Sequence, residues 1–335
     1  YTGVDQEFHY NLKWNLENDL KTRKRIKLFI EELAYMIRTH MLLHDSNPKA
    51  GEVTLFLPLS FTEGSKFHYK DLWKSTVKEI FHWDDDDINV KKRLKFISES
   101  EAPYYYLHGK SDIDNNECVV TLDIGGGSTD IMVFRKSKPE LGSSVNFGSN
   151  IIWGNGYVQF PNSKQNGIYK DLVKDVTQRL GNSELRDLNF RLNKEESKYG
   201  SDEILNFWLY NDDKTGATEL LRKGKYTLSY LLHFAALIHY VSKVLKENDI
   251  QAPTCIIFSG NGSRYIDLIQ DVSLIKDFCH RVLQFEFGTE VKAPQIILPA
   301  KFRKEATCFG GLFKEGDAEP KTYTYLGVPD SGIKS

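Results

Sequence analysis

Two aspartates and three consecutive glycines stand together in the segment Asp123-Ile-Gly-Gly-Gly-Ser-Thr-Asp130, directly after the apolar run Val119-Val-Thr-Leu122. Such a run predicts a buried strand that delivers Asp123 to a turn. Glycines in that turn allow backbone N–H groups to approach an anion without interference from a Cβ atom, and the hydroxyls of Ser128 and Thr129 add side-chain donors. The segment therefore predicts a phosphate-binding turn, beside which Asp123 and Asp130 could hold a hydrated Mg²⁺.

A glycine-rich hairpin turn is the simpler interpretation, because Ile131, Val133 and Phe134 resume a strand pattern after the turn. A tight hairpin loop, however, requires fewer glycines than this segment contains, and it requires neither the paired hydroxyls nor the flanking aspartates. The Rossmann and Walker phosphate motifs are excluded, since neither G-x-G-x-x-G before a helix nor G-K-[ST] is present. We therefore favour a phosphate site over a plain turn.

The elements that must position this segment alternate between helix and strand. Apolar periodicity predicts helices over residues 22–44, 69–81, 226–247 and 303–313, and short strands over residues 52–60, 93–97, 255–258 and 296–298. A second glycine turn, Ser259-Gly-Asn-Gly-Ser-Arg264, follows one of these strands, and the tail after Glu315 lacks periodicity and is expected to be loosely ordered. The sequence thus predicts an α/β protein with glycine turns at strand ends.

The length of 335 residues is enough for two domains. We place a boundary in the polar, turn-forming residues 112–117, which gives a first lobe over residues 1–115 and a second over residues 116–335. Composition becomes polar and weakly periodic between about residues 155 and 225, as expected of a peripheral subdomain.

Composition limits the classes of function. The net charge of −2 and the absence of a basic aromatic patch argue against nucleic-acid binding. The longest apolar run, residues 231–241, is too short to span a membrane and contains two histidines, so we expect a buried helix. Four cysteines without a C-x-x-C pair argue against zinc and disulfides, and a reducing cytoplasm is the expected location.

Four segments occur in the order found in the actin-like ATPase superfamily, which includes actin, the seventy-kilodalton heat-shock chaperones, bacterial cell-division actins and many sugar kinases. The glycine segment resembles the second phosphate motif, and Ile256-Ile-Phe-Ser-Gly-Asn-Gly-Ser263 resembles the adenosine motif. Phe96-Ile-Ser-Glu-Ser-Glu-Ala102 and Glu305-Ala-Thr-Cys-Phe-Gly-Gly311 resemble the two connecting motifs. The resemblance spans about residues 25–315 and is nearest to the chaperone and bacterial actin-like branches. It implies a two-lobed actin-like ATPase (ribonuclease H-like) fold, with mixed sheets flanked by helices and an incomplete first lobe.

The resemblance implies an ATP-binding, Mg²⁺-dependent conformational switch that acts on a protein client or self-associates. Asp123 and Asp130 would organise Mg²⁺, and Glu99 would orient the attacking water. The residues implied in nucleotide contact or in the helix crossing between the lobes are Gly125, Gly126, Gly127, Ser128, Thr129, Gly260, Asn261, Gly262, Ser263 and Gly310. Asn261 stands where the family usually has a glycine.

One family motif, the D-x-G-[ST] hairpin that grips the β- and γ-phosphates, is missing, since Asp5 has no glycine two positions later. We expect either that the hairpin lies upstream in a longer protein, which the start without Met favours, or that the chain is a degenerate family member. In both cases weak nucleotide binding and negligible hydrolysis are expected of this chain. A non-catalytic scaffold and a small-molecule kinase of the same fold remain alternatives, although the lack of an Asn-Asp pair near Glu99 favours an ATPase over a kinase.

Overall fold

The structure is a computed structural model that describes residues 20–59, 61–84, 93–108, 118–154, 167–179, 216–269, 271–298, 305–313 and 323–326. The chain divides into two compact units. The first comprises Tyr1–Glu99, Gly311–Lys321 and Gly327–Ser335, and the second comprises Ser100–Gly310 and Thr322–Leu326. The predicted boundary segment 112–117 and most of the predicted subdomain at 155–225 lie outside the described residues.

In the described part of the first unit, two α-helices and two parallel strands share one core, and a short 3₁₀ helix (Pro48–Ala50) precedes the first strand. Helix α1 (Leu20–Leu43) and helix α2 (Glu63–Phe81) bury their apolar faces with strands β1 (Val53–Leu57) and β2 (Leu94–Ser98). Helix α2 begins after Thr62, whose hydroxyl accepts a hydrogen bond from the Ser65 N–H, and it ends at His82 in the left-handed conformation. These elements agree with the helices and strands predicted from apolar periodicity.

The second unit is built on a six-stranded mixed sheet with the strand order β7-β6-β3-β4-β5-β8. Strands β3 to β5 form an antiparallel meander, β6 and β7 extend it in parallel next to β3, and β8 pairs in parallel with β5. The strands are β3 (Cys118–Ile124), β4 (Thr129–Arg135), β5 (Lys138–Val145), β6 (Cys255–Ser259), β7 (Gln295–Ile297) and β8 (Thr324–Leu326). The central strands β3 and β4 are almost wholly buried, which explains their continuous apolar runs.

Helices accompany this sheet, and six of the eight described ones contribute residues to its core. They are α3 (Ala102–His108), α4 (Asn150–Trp153), α5 (Tyr169–Arg179), α6 (Ala217–Leu221), α7 (Gly224–Glu247), a 3₁₀ helix (Asn261–Leu268), α8 (Val272–Phe287) and α9 (Ala306–Phe313). Among the described residues α7 is the one helix long and apolar enough to cross a membrane, but half of its apolar window is buried in the unit, as in a core helix. The absence of a membrane span therefore stays a prediction.

The mixed α/β class, with a sheet flanked by helices, is confirmed. One local expectation was wrong, since residues 324–326 of the tail expected to be loosely ordered form the edge strand β8. Three residues, Thr324, Tyr325 and Leu326, are too few to produce a periodic signal, and the partner strand β5 supplies the hydrogen bonds that fix them. The second glycine turn after β6 continues into a 3₁₀ helix before α8 begins.

Candidate functional site

The glycine segment forms the end of the β3–β4 hairpin, with Asp123 opposite Asp130 and Ile124 opposite Thr129. Directly opposite residues of antiparallel strands place their side chains on the same face, so the two carboxylates share one face of the hairpin. Residues 125–128, here called the glycine loop, close the hairpin with a 2.8 Å hydrogen bond from the Gly125 N–H to the Ser128 carbonyl. The predicted hairpin is thus present. Whether the loop can also bind a phosphate depends on which of its backbone N–H groups are not used in hydrogen bonds within the protein.

Residues 147–150, here called the support segment, hold the three carbonyls of the glycine loop. The carbonyl of Gly125 accepts from the Ser149 N–H at 3.0 Å, that of Gly126 from the Asn150 N–H at 2.8 Å, and that of Gly127 from the Gly148 N–H at 3.3 Å. The side-chain amide of Asn150 also lies close to Gly126, because a Cβ there would come within 3.3 Å of it. The support segment therefore binds the loop along its full length.

The N–H groups of the glycine loop point in the direction opposite to its carbonyls. In a trans peptide the N–H is directed opposite to the carbonyl, and no described peptide is cis. The N–H groups of Gly126, Gly127 and Ser128 are thus turned away from the support segment, and within the described residues none of them donates a backbone hydrogen bond. Successive amides on one side of a turn form a concavity that binds anions.

Gly127 has no local structural reason to be glycine. It is exposed, its φ is not positive, and a Cβ atom there would meet no described atom within 4 Å. Glycine at such a position costs conformational entropy on folding without relieving a clash. Close approach of a ligand to the loop amides would supply such a reason.

Two hydroxyls among the predicted nucleotide-contact residues are used inside the protein. Thr129 is buried and donates to the Phe147 carbonyl at 2.7 Å, and Ser263 is buried and donates to the Gly260 carbonyl at 2.8 Å. A hydroxyl has one proton to donate, so neither side chain can also donate to a phosphate in this arrangement. Ser128, which is partly exposed, remains the side-chain donor of the glycine loop.

The second glycine turn (residues 259–263) lies beside the glycine loop. Strand β6 runs parallel to β3 with Ser259 opposite Asp123, so both strands deliver their carboxyl ends to the same sheet edge. Gly260 has a φ of +78°, and a Cβ there would overlap the carboxylate of Asp123. A Cβ at Gly262 would overlap the carbonyl of Gly125. The two glycine turns, which are far apart in the sequence, are therefore in direct backbone contact.

Asn261 lies in this second turn, partly exposed, and it differs in chemistry from the glycines around it. Its side-chain carbonyl oxygen is buried and has no hydrogen-bond partner among the described residues. A buried amide oxygen without a partner is costly. The turn thus carries two buried polar atoms without a partner among the described residues, the Asn261 oxygen and the Ser259 hydroxyl, whose hydrogen bonding a ligand could complete.

Asp130, the aspartate of β4, accepts hydrogen bonds from two hydroxyls. Its Oδ1 accepts from Ser144 at 2.5 Å and its Oδ2 from Ser100 at 3.1 Å. A carboxylate keeps further lone pairs after such bonds, so Asp130 retains acceptor capacity. The described residues contain no group of three or more His, Cys, Asp or Glu side chains that would hold a metal by themselves. A pair of carboxylates with water and phosphate ligands, as Mg²⁺ usually has, fits Asp123 and Asp130.

The two connecting segments lie where the chain passes between the compact units. It leaves the first unit between Glu99 and Ser100 and returns to it between Gly310 and Gly311. Within the second unit α9 approaches α3 closely, because a Cβ at Gly310 would overlap the carbonyl of Ala102. Glu99 follows β2 in the first unit, where its N–H donates to the Leu57 carbonyl at 3.0 Å. The catalytic role of Glu99 and the hinge role of Gly310 stay predictions.

Sequence reasoning missed the support segment and His233. His233 was noted only as a polar interruption in an apolar helix, yet its ring stacks on Phe147 with centroids 4.4 Å apart and planes 4° apart. Its Nδ1 lies 2.9 Å from the Tyr265 hydroxyl, and burial lowers its pKa to about 4, so the ring is neutral near pH 7. A histidine inside an apolar helix was the available signal, but the sequence does not show which aromatic rings surround it.

The fold and site define a mixed α/β protein with a candidate anion-binding loop at the edge of its larger sheet. No family model matches the chain, and a search of curated proteins finds no match. Among solved structures, the chain is similar to the ethanolamine utilization protein EutJ from Carboxydothermus hydrogenoformans, with a TM-score of 0.39 and 12% identity over 86% of this chain and 75% of that chain. Similarity at this level does not extend to function, for which the geometry of the chain's own residues is decisive.

Proposed function

We propose that the chain binds the phosphates of a nucleotide at the glycine loop and that the nucleotide is ATP with Mg²⁺. The observation that carries this proposal is the set of three loop amides, at Gly126, Gly127 and Ser128, that turn away from the support segment. Phosphate groups suit such amides because each N–H donates to an anionic oxygen, and such charge-assisted hydrogen bonds are shorter and stronger than neutral ones. The open position of Gly127 leaves room for this approach.

The neighbouring residues have compatible roles. Asp123 and Asp130 would hold Mg²⁺ through its water ligands, and the ion when bound would offset the negative charge that these carboxylates place beside a phosphate. The second glycine turn would receive the nucleoside, with the unpartnered carbonyl of Asn261 as a hydrogen-bond acceptor. Glu99 would orient a water molecule toward the terminal phosphate.

At the level of the molecule, we propose an ATP-dependent conformational switch of the actin-like type. The support comes from the motif order in the sequence and from the contact between the two glycine turns. A scaffold that binds nucleotide without hydrolysis and a small-molecule kinase are the rival functions of the same site. In a protein that also carries the D-x-G-[ST] hairpin, turnover separates all three, because the scaffold releases no ADP and the kinase releases ADP only with a second substrate.

Isothermal titration calorimetry with Mg·ATP, Mg·ADP and adenosine tests the binding proposal. We expect Mg·ATP and Mg·ADP to bind more tightly than adenosine, because the loop amides contact the phosphates. The Asp123→Ala variant should weaken Mg·ATP binding, whereas Asp277→Ala, which removes an exposed carboxylate from α8, should not. Absence of binding heat for Mg·ATP in the unmodified chain, or equal loss in both variants, would contradict the proposal.

A further inference from the structure

His233 contacts one residue of the support segment, Phe147, and one residue of the 3₁₀ helix that follows Gly260, Tyr265. It is only 4% exposed, and its ring stacks on Phe147 of the support segment. On its other side Nδ1 lies 2.9 Å from the hydroxyl of Tyr265, whose ring meets the imidazole edge to face at 5.4 Å. A buried imidazole costs free energy that an apolar side chain of similar size would not cost, so its polar edge has a use at this position.

Phe147 and Gly148 connect His233 to the glycine loop through direct contacts. The Phe147 carbonyl accepts the hydroxyl proton of Thr129, the residue that ends the loop. The Gly148 N–H donates to the Gly127 carbonyl, and a Cβ at Gly148 would overlap the carbonyl of Gly126. The backbones are in such close contact that the support segment cannot shift without the loop.

Tyr265 connects His233 to the second turn through the hydrogen bond with Nδ1. Tyr265 is fully buried and lies in the 3₁₀ helix that begins at Asn261. It follows Ser263 by two residues, and the Ser263 hydroxyl donates to the Gly260 carbonyl within the second turn. Burial raises the pKa of Tyr265 and lowers that of His233, so a protonated phenol faces a neutral imidazole. Either group can donate in this 2.9 Å hydrogen bond, depending on the tautomer of the imidazole, and in both cases the bond links the 3₁₀ helix to α7.

We infer that His233 is a positioning residue that holds the glycine loop and the second glycine turn in one fixed relation, through Phe147 on one side and Tyr265 on the other. The inference rests on the proposed function, since the two turns are the proposed phosphate and nucleoside sites. His233 touches neither site directly. It determines whether the loop amides and the second turn face one nucleotide at the same time.

The variants His233→Phe, Tyr265→Phe and their double variant test this link. Each single change removes one partner of the same hydrogen bond and keeps an aromatic ring in place. We expect each single variant to raise the Kd for Mg·ATP about fivefold and the double variant to raise it no further, because the bond is lost once. Tyr240→Phe is the matched control, since it removes a tyrosine hydroxyl on α7 that lies 3.3 Å from Ser143 in β5. It should leave the Kd unchanged.

A second readout does not depend on nucleotide. In protein labelled with ¹⁵N-glycine, the amide signals of the glycine loop and of Gly260 and Gly262 should shift in both single variants and not in Tyr240→Phe. If these signals shift but the unmodified chain does not bind Mg·ATP, the proposed function fails while the positioning link stands. If Mg·ATP binds and neither Kd nor glycine signals respond to His233→Phe, the inference is overturned.

Discussion

At Gly127, substitution by alanine is expected to affect stability and ligand affinity in opposite directions. A Cβ there meets no described atom within 4 Å and the backbone φ is not positive, so Gly127→Ala should keep the free energy of unfolding or raise it by roughly 0.4–1 kcal/mol. The same methyl group would stand in front of the loop amides. We expect Mg·ATP affinity to fall about tenfold, the loss of one charge-assisted hydrogen bond. Urea denaturation and calorimetry measure the two effects.

Gly224 provides the control for this substitution. It is the first residue of α7, and a Cβ there also meets no described atom within 4 Å. Gly224→Ala should therefore give a similar change in stability and no change in affinity. If Gly127→Ala binds Mg·ATP as tightly as Gly224→Ala does, the loop amides are not the phosphate contacts.

His233 gives the chain a predictable response to acid. Its folded pKa of about 4 lies below the ordinary histidine value of 6.5, so the unfolded chain takes up a proton more readily. The contribution of the neutral ring to stability is complete above pH 6.5, falls as the pH drops toward 4, and is on the order of 3 kcal/mol. Urea unfolding at several pH values should show a smaller loss for His233→Phe than for the unmodified chain. Parallel curves would exclude His233 as the group responsible.

The types of residue at the site could be predicted from the sequence, but their uses could not. Three glycines between two aspartates indicate an anion site, and the structure brings these groups to one hairpin end. The sequence could not show that Thr129 donates its proton to Phe147, because the acceptor is a backbone carbonyl 18 positions away. A hydroxyl is free for a ligand only if the fold brings no carbonyl near it.

Among the elements, the support segment is the one whose fit to the glycine loop is tightest. Gly148→Ala should lower the free energy of unfolding by about 1–3 kcal/mol, because the added Cβ would overlap backbone atoms of the loop that cannot turn aside. We expect weaker Mg·ATP binding in the same variant, as the loop carbonyls lose their donors. Thermal and urea denaturation against Gly224→Ala check the stability, and unchanged stability would show that the contact is loose.

Helices and strands with a long apolar pattern were predictable at this scale. The long helices α1, α2 and α7 and the buried strand β3 have enough apolar positions for their period to be visible in the sequence. The short edge strand β8 and the 3₁₀ helix after β6 depend on partners from other parts of the chain. The predicted hairpin and the predicted phosphate loop were alternatives in the sequence, but in the structure the loop is the end of the hairpin.

For the whole molecule, the order of motifs along the chain does not by itself show which segments are in contact. Two glycine turns that follow two strands lie at one sheet edge only if those strands are parallel neighbours, as β3 and β6 are. The sequence shows the motifs but not the strand order, because sheet neighbours are chosen by packing across more than 130 positions. The contact between the turns therefore required the structure.

Hydrogen exchange can measure which described segments respond to nucleotide. The glycine loop, the support segment and the second turn all belong to the second unit, whereas Glu99 belongs to the first. A ligand at about 100 times its Kd stabilises the native state by about 2.7 kcal/mol, which slows amide exchange through unfolding of the unit that binds it. Hydrogen exchange with and without Mg·ATP should therefore protect residues 125–128, 147–150 and 259–263. Protection that also includes the segment around Glu99 would assign that carboxylate to the nucleotide site, and protection confined to the second unit would remove it from the proposed mechanism.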